Sequence, residues 1–168
     1  MPTPIPSDYK VVKTGSPILL KEFDSSRKKF IHFYNPKCPC SKFNFSSYKS
    51  LIKNYSLDYD CYAVVQNSVE GVDSDDLEFL QKLGVTVIVD IEKKIARKCG
   101  VYSTPQIVLL DENNRLYYRG NYNKTRYCTN PETNYAKIAM DSMINESFYF
   151  FSVAATTAYG CGLDEHTH

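Results

Sequence analysis

One stretch constrains the chain more than any other. In residues 30–41, Phe-Ile-His-Phe-Tyr-Asn-Pro-Lys-Cys-Pro-Cys-Ser, a short apolar run stops at Pro36 and two cysteines follow at once. An apolar run of this length, bounded by proline, fits a buried strand. Ser41, Asn44 and the apolar positions beyond them start a helix, so the turn joins strand to helix and sets Cys38 and Cys40 at the helix N-terminus. Unpaired N–H groups and the helix dipole favour a thiolate there. A disulfide between Cys38 and Cys40 would close over a single residue, Pro39. It would remove little entropy from the unfolded chain and would be strained and easily reduced. The pair therefore reads as reactive thiols rather than a staple. Cys38 is expected on the exposed side of the turn, beside Lys37, whose solvated charge favours the thiolate weakly.

Around this turn helices and strands alternate. Residues 17–23 read as a short helix, closed by Asp24-Ser25-Ser26. After the turn, Tyr48, Leu51, Ile52 and Tyr55 recur at helical spacing and give that helix one apolar face. A strand at residues 61–65 follows, then a helix through Leu77, Leu80 and Leu83 with start signals at Asp73 and Asp75 and a stop at Gly84. The β-branched residues 85–89 form the next strand, and residues 92–99 a short helix ending at Gly100. Ser103-Thr104-Pro105 leads into a strand at residues 106–110, and turn residues 111–114 fold residues 115–120 back as a hairpin. Residues 131–144 form a last helix with Tyr135, Ile138, Ala139 and Met143 inside. Aromatic residues 148–151 run on to Gly160-Cys161-Gly162. This order implies an α/β sandwich, a central mixed β-sheet flanked by helices, with a C-terminal extension. The expected organisation is an extended lead-in or tether (1–15), one domain (16–147) and a C-terminal extension with a polar tail (148–168) that holds His166 and His168.

Composition narrows the function. The chain has 168 residues, is 43 % hydrophobic and carries a net charge of +1, so it suits one domain with its own core and has no bulk attraction for nucleic acid. No apolar run reaches the ~18 residues of a membrane span. The start, Met-Pro-Thr-Pro-Ile-Pro, is not a signal sequence, and any membrane contact is expected only through a tether absent from this chain. Six cysteines are few for a disulfide scaffold yet many for a cytosolic protein, which points to an oxidising compartment, with the cytoplasm as the alternative. Cys61, mid-strand, and Cys99, at a helix end, read as inert core residues. Cys128 and Cys161 lie in irregular segments and form either a structural disulfide or two free thiols. His32, on an apolar strand, is either a satisfied core histidine or a proton acceptor for the thiol pair.

These pieces resemble a thioredoxin-like domain. Residues 30–41 match its strand and active-site turn, residues 98–109 (Lys-Cys-Gly-Val-Tyr-Ser-Thr-Pro-Gln-Ile-Val-Leu) the segment around its cis-proline, and residues 115–120 its closing hairpin. The resemblance runs from about residue 30 to 144. It implies that Pro105 is cis and beside Cys38, and that the Thr104 backbone is free to pair with an extended substrate, with Pro39 and Lys37 also at the substrate side. The usual Trp-Cys-x-x-Cys is replaced here by Lys37-Cys38-Pro39-Cys40-Ser41, and the chain has no tryptophan. Without gaps, Cys38 is the nucleophile, Ser41 stands at the resolving position and His32 at that of a buried acid; with one gap, Cys40 resolves. The Cys-Pro-Cys-Ser turn, the Tyr-Cys at 127–128 and the Gly-Cys at 160–161 also resemble bacterial proteins of the redoxin or TlpA type, which are exported and tethered in the periplasm or cell envelope.

The activity so implied is thiol-disulfide exchange through Cys38 and Cys40 beside Pro105, on protein or small-molecule thiol or disulfide substrates and with an unidentified redox partner. It calls for no cofactor and no metal. A thiol peroxidase of the redoxin type is the enzymatic alternative, although Asn35 stands where such enzymes carry a threonine. A Cu(I)-binding chaperone using the Cys38 and Cys40 thiolates is the alternative from another class. His32 lies behind the turn, so the sequence supplies no third ligand for it.

Overall fold

The computed structural model of the protein describes residues 1–125 and 127–163, so His166 and His168 lie outside the described residues. Its centre is a five-stranded mixed sheet of order β3-β2-β1-β5-β6, built from β1 (Lys28–Tyr34), β2 (Tyr59–Gln66), β3 (Thr86–Asp90), β5 (Gln106–Leu110) and β6 (Leu116–Gly120). β1, β2 and β3 run parallel, while β5 lies antiparallel to both β1 and β6. A separate two-stranded ladder pairs β4 (Ser103–Thr104) with β7 (Cys161–Gly162). The helices are α1 (Pro39–Tyr55), α2 (Ser74–Lys82), α3 (Lys94–Cys99), α4 (Tyr135–Ile144) and α5 (Val153–Thr156). Among the described residues, no helix is long and apolar enough to cross a membrane.

Successive strand residues face opposite sides of a sheet. On β1, Phe30 and Tyr34 join one core with Tyr48, Leu51 and Ile52 of α1 and Ala136, Ala139 and Met140 of α4. Ile31 and Phe33 join a second core with Phe23, Ile95, Ala96 and Cys99. β1 is therefore covered on both faces, which is why its apolar run shows no alternation. α2 opens on Asp73, whose side chain accepts from the N–H groups of Asp75 and Asp76.

Two expected helices differ. Of residues 17–23, only Lys21–Phe23 turn, as one 3-10 turn. Pro17 bridges to Arg115, and Ile18 N–H donates to Asn114, so the first part runs extended along the β6 hairpin. Residues 131–144 break at Asn134 into a 3-10 turn, Pro131–Thr133, and α4, whose N-terminus Asn134 caps. The break rotates the buried face onto Ala136, Ala139, Met140 and Met143, leaving Tyr135 and Ile138 half-buried.

The two ends of the described chain lie against the body and meet. Thr3 is buried, and its N–H donates to Ala158 O at 2.8 Å and its hydroxyl to Gly160 O at 2.9 Å. Tyr9 donates to Gly100 O, and Arg119 Nη1 to Val12 O, which fix the lead-in beside the end of α3. The C-terminal segment is anchored by Asn121, whose N–H donates to Ala155 O and whose Nδ2 donates to Ala154 O and Thr157 O.

Candidate active site

The turn after β1 is built by short-range hydrogen bonds. Asn35 Oδ1 accepts from Lys37 N–H at 2.9 Å, Asn35 O from Cys38 N–H at 3.0 Å, and Ser41 Oγ from Asn35 N–H at 3.3 Å. Cys38 is the N-cap residue of α1 and Pro39 its first helical residue, where a missing N–H costs nothing. Asn44 Nδ2 donates to Cys40 O one turn on. Lys37 and Pro39 are exposed, while Cys38 is fully buried and Cys40 nearly so.

Cys38 forms a disulfide with Cys161, 123 positions further along the sequence, with Cα atoms 6.3 Å apart. Cys40 remains a thiol, and the three Sγ atoms lie within 4.8 Å of one another. The bond corrects two expectations. Cys161 is not joined to Cys128, which is a free thiol 3.9 Å from Thr133 Oγ1, because the tail runs to the turn at Cys38 instead. Cys38 is not on the exposed side, because the strand carrying Cys161 covers it.

That strand lies on the edge offered by β4. Thr104 is paired with Cys161 and Ser103 with Gly162, Leu163 N–H donates to Tyr102 O at 3.2 Å, and Cys38 Sγ lies 3.8 Å from Thr104 O. The Thr104–Pro105 peptide is cis. Pro105 lines a small crevice with Asn44, Tyr122, Tyr159 and Gly160. The Thr104 backbone, expected free for a substrate, is thus occupied by the chain's own tail.

His32 is fully buried under this turn region, its ring stacked on Tyr48 at 4.1 Å and Tyr34 at 5.3 Å between centroids. Its Nδ1 shares a 2.5 Å hydrogen bond with Tyr122 Oη, and among the described residues Nε2 has no partner. Desolvation pushes its pKa down to about 3, so the ring is neutral at ordinary pH. Burial also raises the Cys61 and Cys99 thiols to about 12, which leaves both inert. Tyr122 carried no motif in the sequence, and Tyr127, whose Oη lies 3.9 Å from Cys40 Sγ, was marked only as part of the Tyr-Cys at 127–128 and not as a neighbour of the thiols. The sole sequence signal for the tail strand is the pair of glycines around Cys161, a mark of close backbone approach.

A family model, a domain of unknown function named DUF6436, matches residues 12–162. The chain belongs to the DUF6436 family. The match takes in Cys38, Cys40, Pro105 and Cys161. No curated protein matches the chain. Among solved structures, a hypothetical protein from Sinorhizobium meliloti superposes with a TM-score of 0.72 at 16% identity, covering 95% of this chain and 98% of its own. An uncharacterized conserved protein from Geobacillus kaustophilus gives 0.69 at 17%, covering 99% and 100%. A putative thioredoxin from Neisseria meningitidis gives 0.52 at 18%, covering 73% and 78%. The DUF6436 chain is α/β with a thioredoxin-like fold.

Proposed function

We propose that the protein is a thiol-disulfide oxidoreductase in which Cys38 attacks and Cys161 resolves. The observation that carries this is the Cys38–Cys161 disulfide at the N-terminus of α1, with a third thiol, Cys40, within 4.8 Å. In the reduced protein the α1 N-terminus stabilises the Cys38 thiolate. That thiolate attacks one sulfur of a substrate disulfide; the second substrate sulfur leaves as a thiolate and takes up a proton. The Cys161 thiolate then attacks Cys38 Sγ, releasing the first substrate sulfur and forming the Cys38–Cys161 bond. Two electrons pass from the protein to the substrate, and a partner dithiol returns them. Run backwards, the same steps oxidise a substrate dithiol. Cys40 can attack Cys38 and free Cys161 without an external oxidant. Thr104 and Pro105 shape the docking edge, and His32 stays a neutral ring behind it. A disulfide with one partly exposed member suits the cell envelope, the site we assign, together with the redoxin or TlpA type.

Turnover of a model protein disulfide by the reduced protein, with dithiothreitol as donor, tests the reading. Cys38→Ser is expected to fall to the uncatalysed rate, and Cys61→Ser and Cys99→Ser to keep wild-type turnover. Full turnover by Cys38→Ser would overturn it.

The clustering of three sulfurs favours a second reading. Cys161, rather than His32, supplies the third soft ligand a Cu(I) carrier needs once the disulfide is reduced. Anaerobic titration against a Cu(I) chelator separates the two. One tightly held ion, lost on replacing any of the three cysteines and accompanied by no disulfide turnover, would favour the carrier.

A further inference from the structure

The β4 edge beside Cys38 is already filled, and its occupant describes what else fits. Cys161 and Gly162 pair antiparallel with Thr104 and Ser103, and the Cys161 sulfur sits on Cys38. Gly160 approaches so closely that an added Cβ would overlap the Thr104 carbonyl oxygen and come 2.6 Å from its carbon and 3.0 Å from Ser103 Oγ. Real Cβ atoms do not make such contacts, and the obstacle is backbone, which cannot step aside as a flexible side chain does. Apart from the disulfide, the strand is held by a two-residue ladder, the Leu163 N–H, Thr3 and, just before it, the Tyr159 hydroxyl that donates to Asn123 O. Strands so short are marginal by themselves.

We infer that the tail strand is a resident stand-in for substrate, and that the edge takes an extended polypeptide whose cysteine is preceded by glycine. The inference rests on the oxidoreductase reading and adds the substrate class. When Cys161 is reduced, the strand loses its covalent hold and the edge opens. The polypeptide pairs with Ser103 and Thr104 in the register now held by the tail, which sets its cysteine sulfur at Cys38. The Cys38 thiolate attacks that sulfur, the substrate's other sulfur leaves as a thiolate, and a Cys38–substrate disulfide forms. Cys161 then attacks Cys38 and its strand reclaims the edge, so that resolution and expulsion of the product are one event. β-strand addition of this kind takes its affinity from the main chain and its selectivity from the side-chain positions.

The test uses the full chain with Cys40→Ser and Cys161→Ser, which removes both internal resolving thiols and traps the mixed disulfide. The probe is a peptide of this chain's own residues 157–163, Thr-Ala-Tyr-Gly-Cys-Gly-Leu, its cysteine carrying a coloured aryl thiol as leaving group. A second peptide has alanine in place of the glycine before the cysteine, and free cysteine with the same leaving group reports the intrinsic reactivity of Cys38. The expected result is trapping of the glycine peptide about tenfold or more faster than the alanine peptide, the scale at which a misfitting methyl is rejected. Adding Gly160→Ala to the trapping variant, which evicts the resident strand, is expected to raise the glycine-peptide rate by a larger factor than the free-cysteine rate, which rises only as far as Cys38 is uncovered. Equal rates for the two peptides, or no effect of Gly160→Ala, would overturn the docking inference and leave the oxidoreductase reading standing. No adduct on Cys38 with any of the three probes would bring down both.

Discussion

At the scale of single residues, His32 shows how burial sets chemistry. An imidazole between Tyr34 and Tyr48, bonded to Tyr122 and shut off from water, pays for any positive charge with its whole hydration. Its folded pKa of about 3 lies below the unfolded value of 6.5. The folded state therefore binds fewer protons than the unfolded one between these values, and stability falls as pH drops from 6.5 toward 3. Urea midpoints measured between pH 7 and pH 4 are expected to fall steeply in the wild type and clearly less in His32→Phe. Parallel slopes would mean that other groups set the acid limit. The sequence placed His32 on the right strand with the cysteines beyond it, because an apolar run ending in proline permits few folds. It could not name Tyr122, 90 positions away, because nothing local in Asn121-Tyr122-Asn123 marks a partner.

At the scale of elements, what was legible followed from period and punctuation: the strand at 30–34, the helix through Tyr48 and Tyr55, the strand at 106–110. Failures came where tertiary pairing overrode a local pattern, as when the edge of the hairpin drew Pro17 and Ile18 into extended backbone. One cap joins an element to the site. The Asp90 carboxylate is buried, accepts from the N–H groups of Ile95 and Ala96 at 2.9 Å and also holds Gln66 Nε2 at 3.1 Å. It fixes the start of α3, whose end leads through Gly100 to β4. Asp90→Ala leaves three buried donors unpaired and is expected to cost about 2–3 kcal/mol, read as a lower urea midpoint with an unchanged slope. A loss under about 0.5 kcal/mol would show that water replaces the carboxylate there.

At the scale of the whole molecule, nothing local signalled that the tail would close on the turn at Cys38, because a pairing across 123 positions is written in the fold and not in the spacing of cysteines. Thr3, Gly160 and Ser103 now form one contact, with Thr3 Oγ1 buried 2.9 Å from Ser103 Oγ, so the tail strand is gripped from the lead-in as well as from β4. The disulfide closes residues 38–161 into one loop. In the chain-entropy account a loop of this length removes about 4–5 kcal/mol of freedom from the unfolded state. At this size each kcal/mol moves the melting temperature by about 2–4 °C, so breaking the bond should lower it by about 10 °C or more. Redox state and stability are then one variable: the cycle proposed above passes through a less stable reduced form. Thermal melts of Cys161→Ser and of the wild type reduced with dithiothreitol should agree with each other and lie below the oxidised wild type, while Cys128→Ser melts with the oxidised wild type. A Cys161→Ser protein that melts within about 3 °C of the oxidised wild type would show that the tail is held by its hydrogen bonds and not by the bond to Cys38.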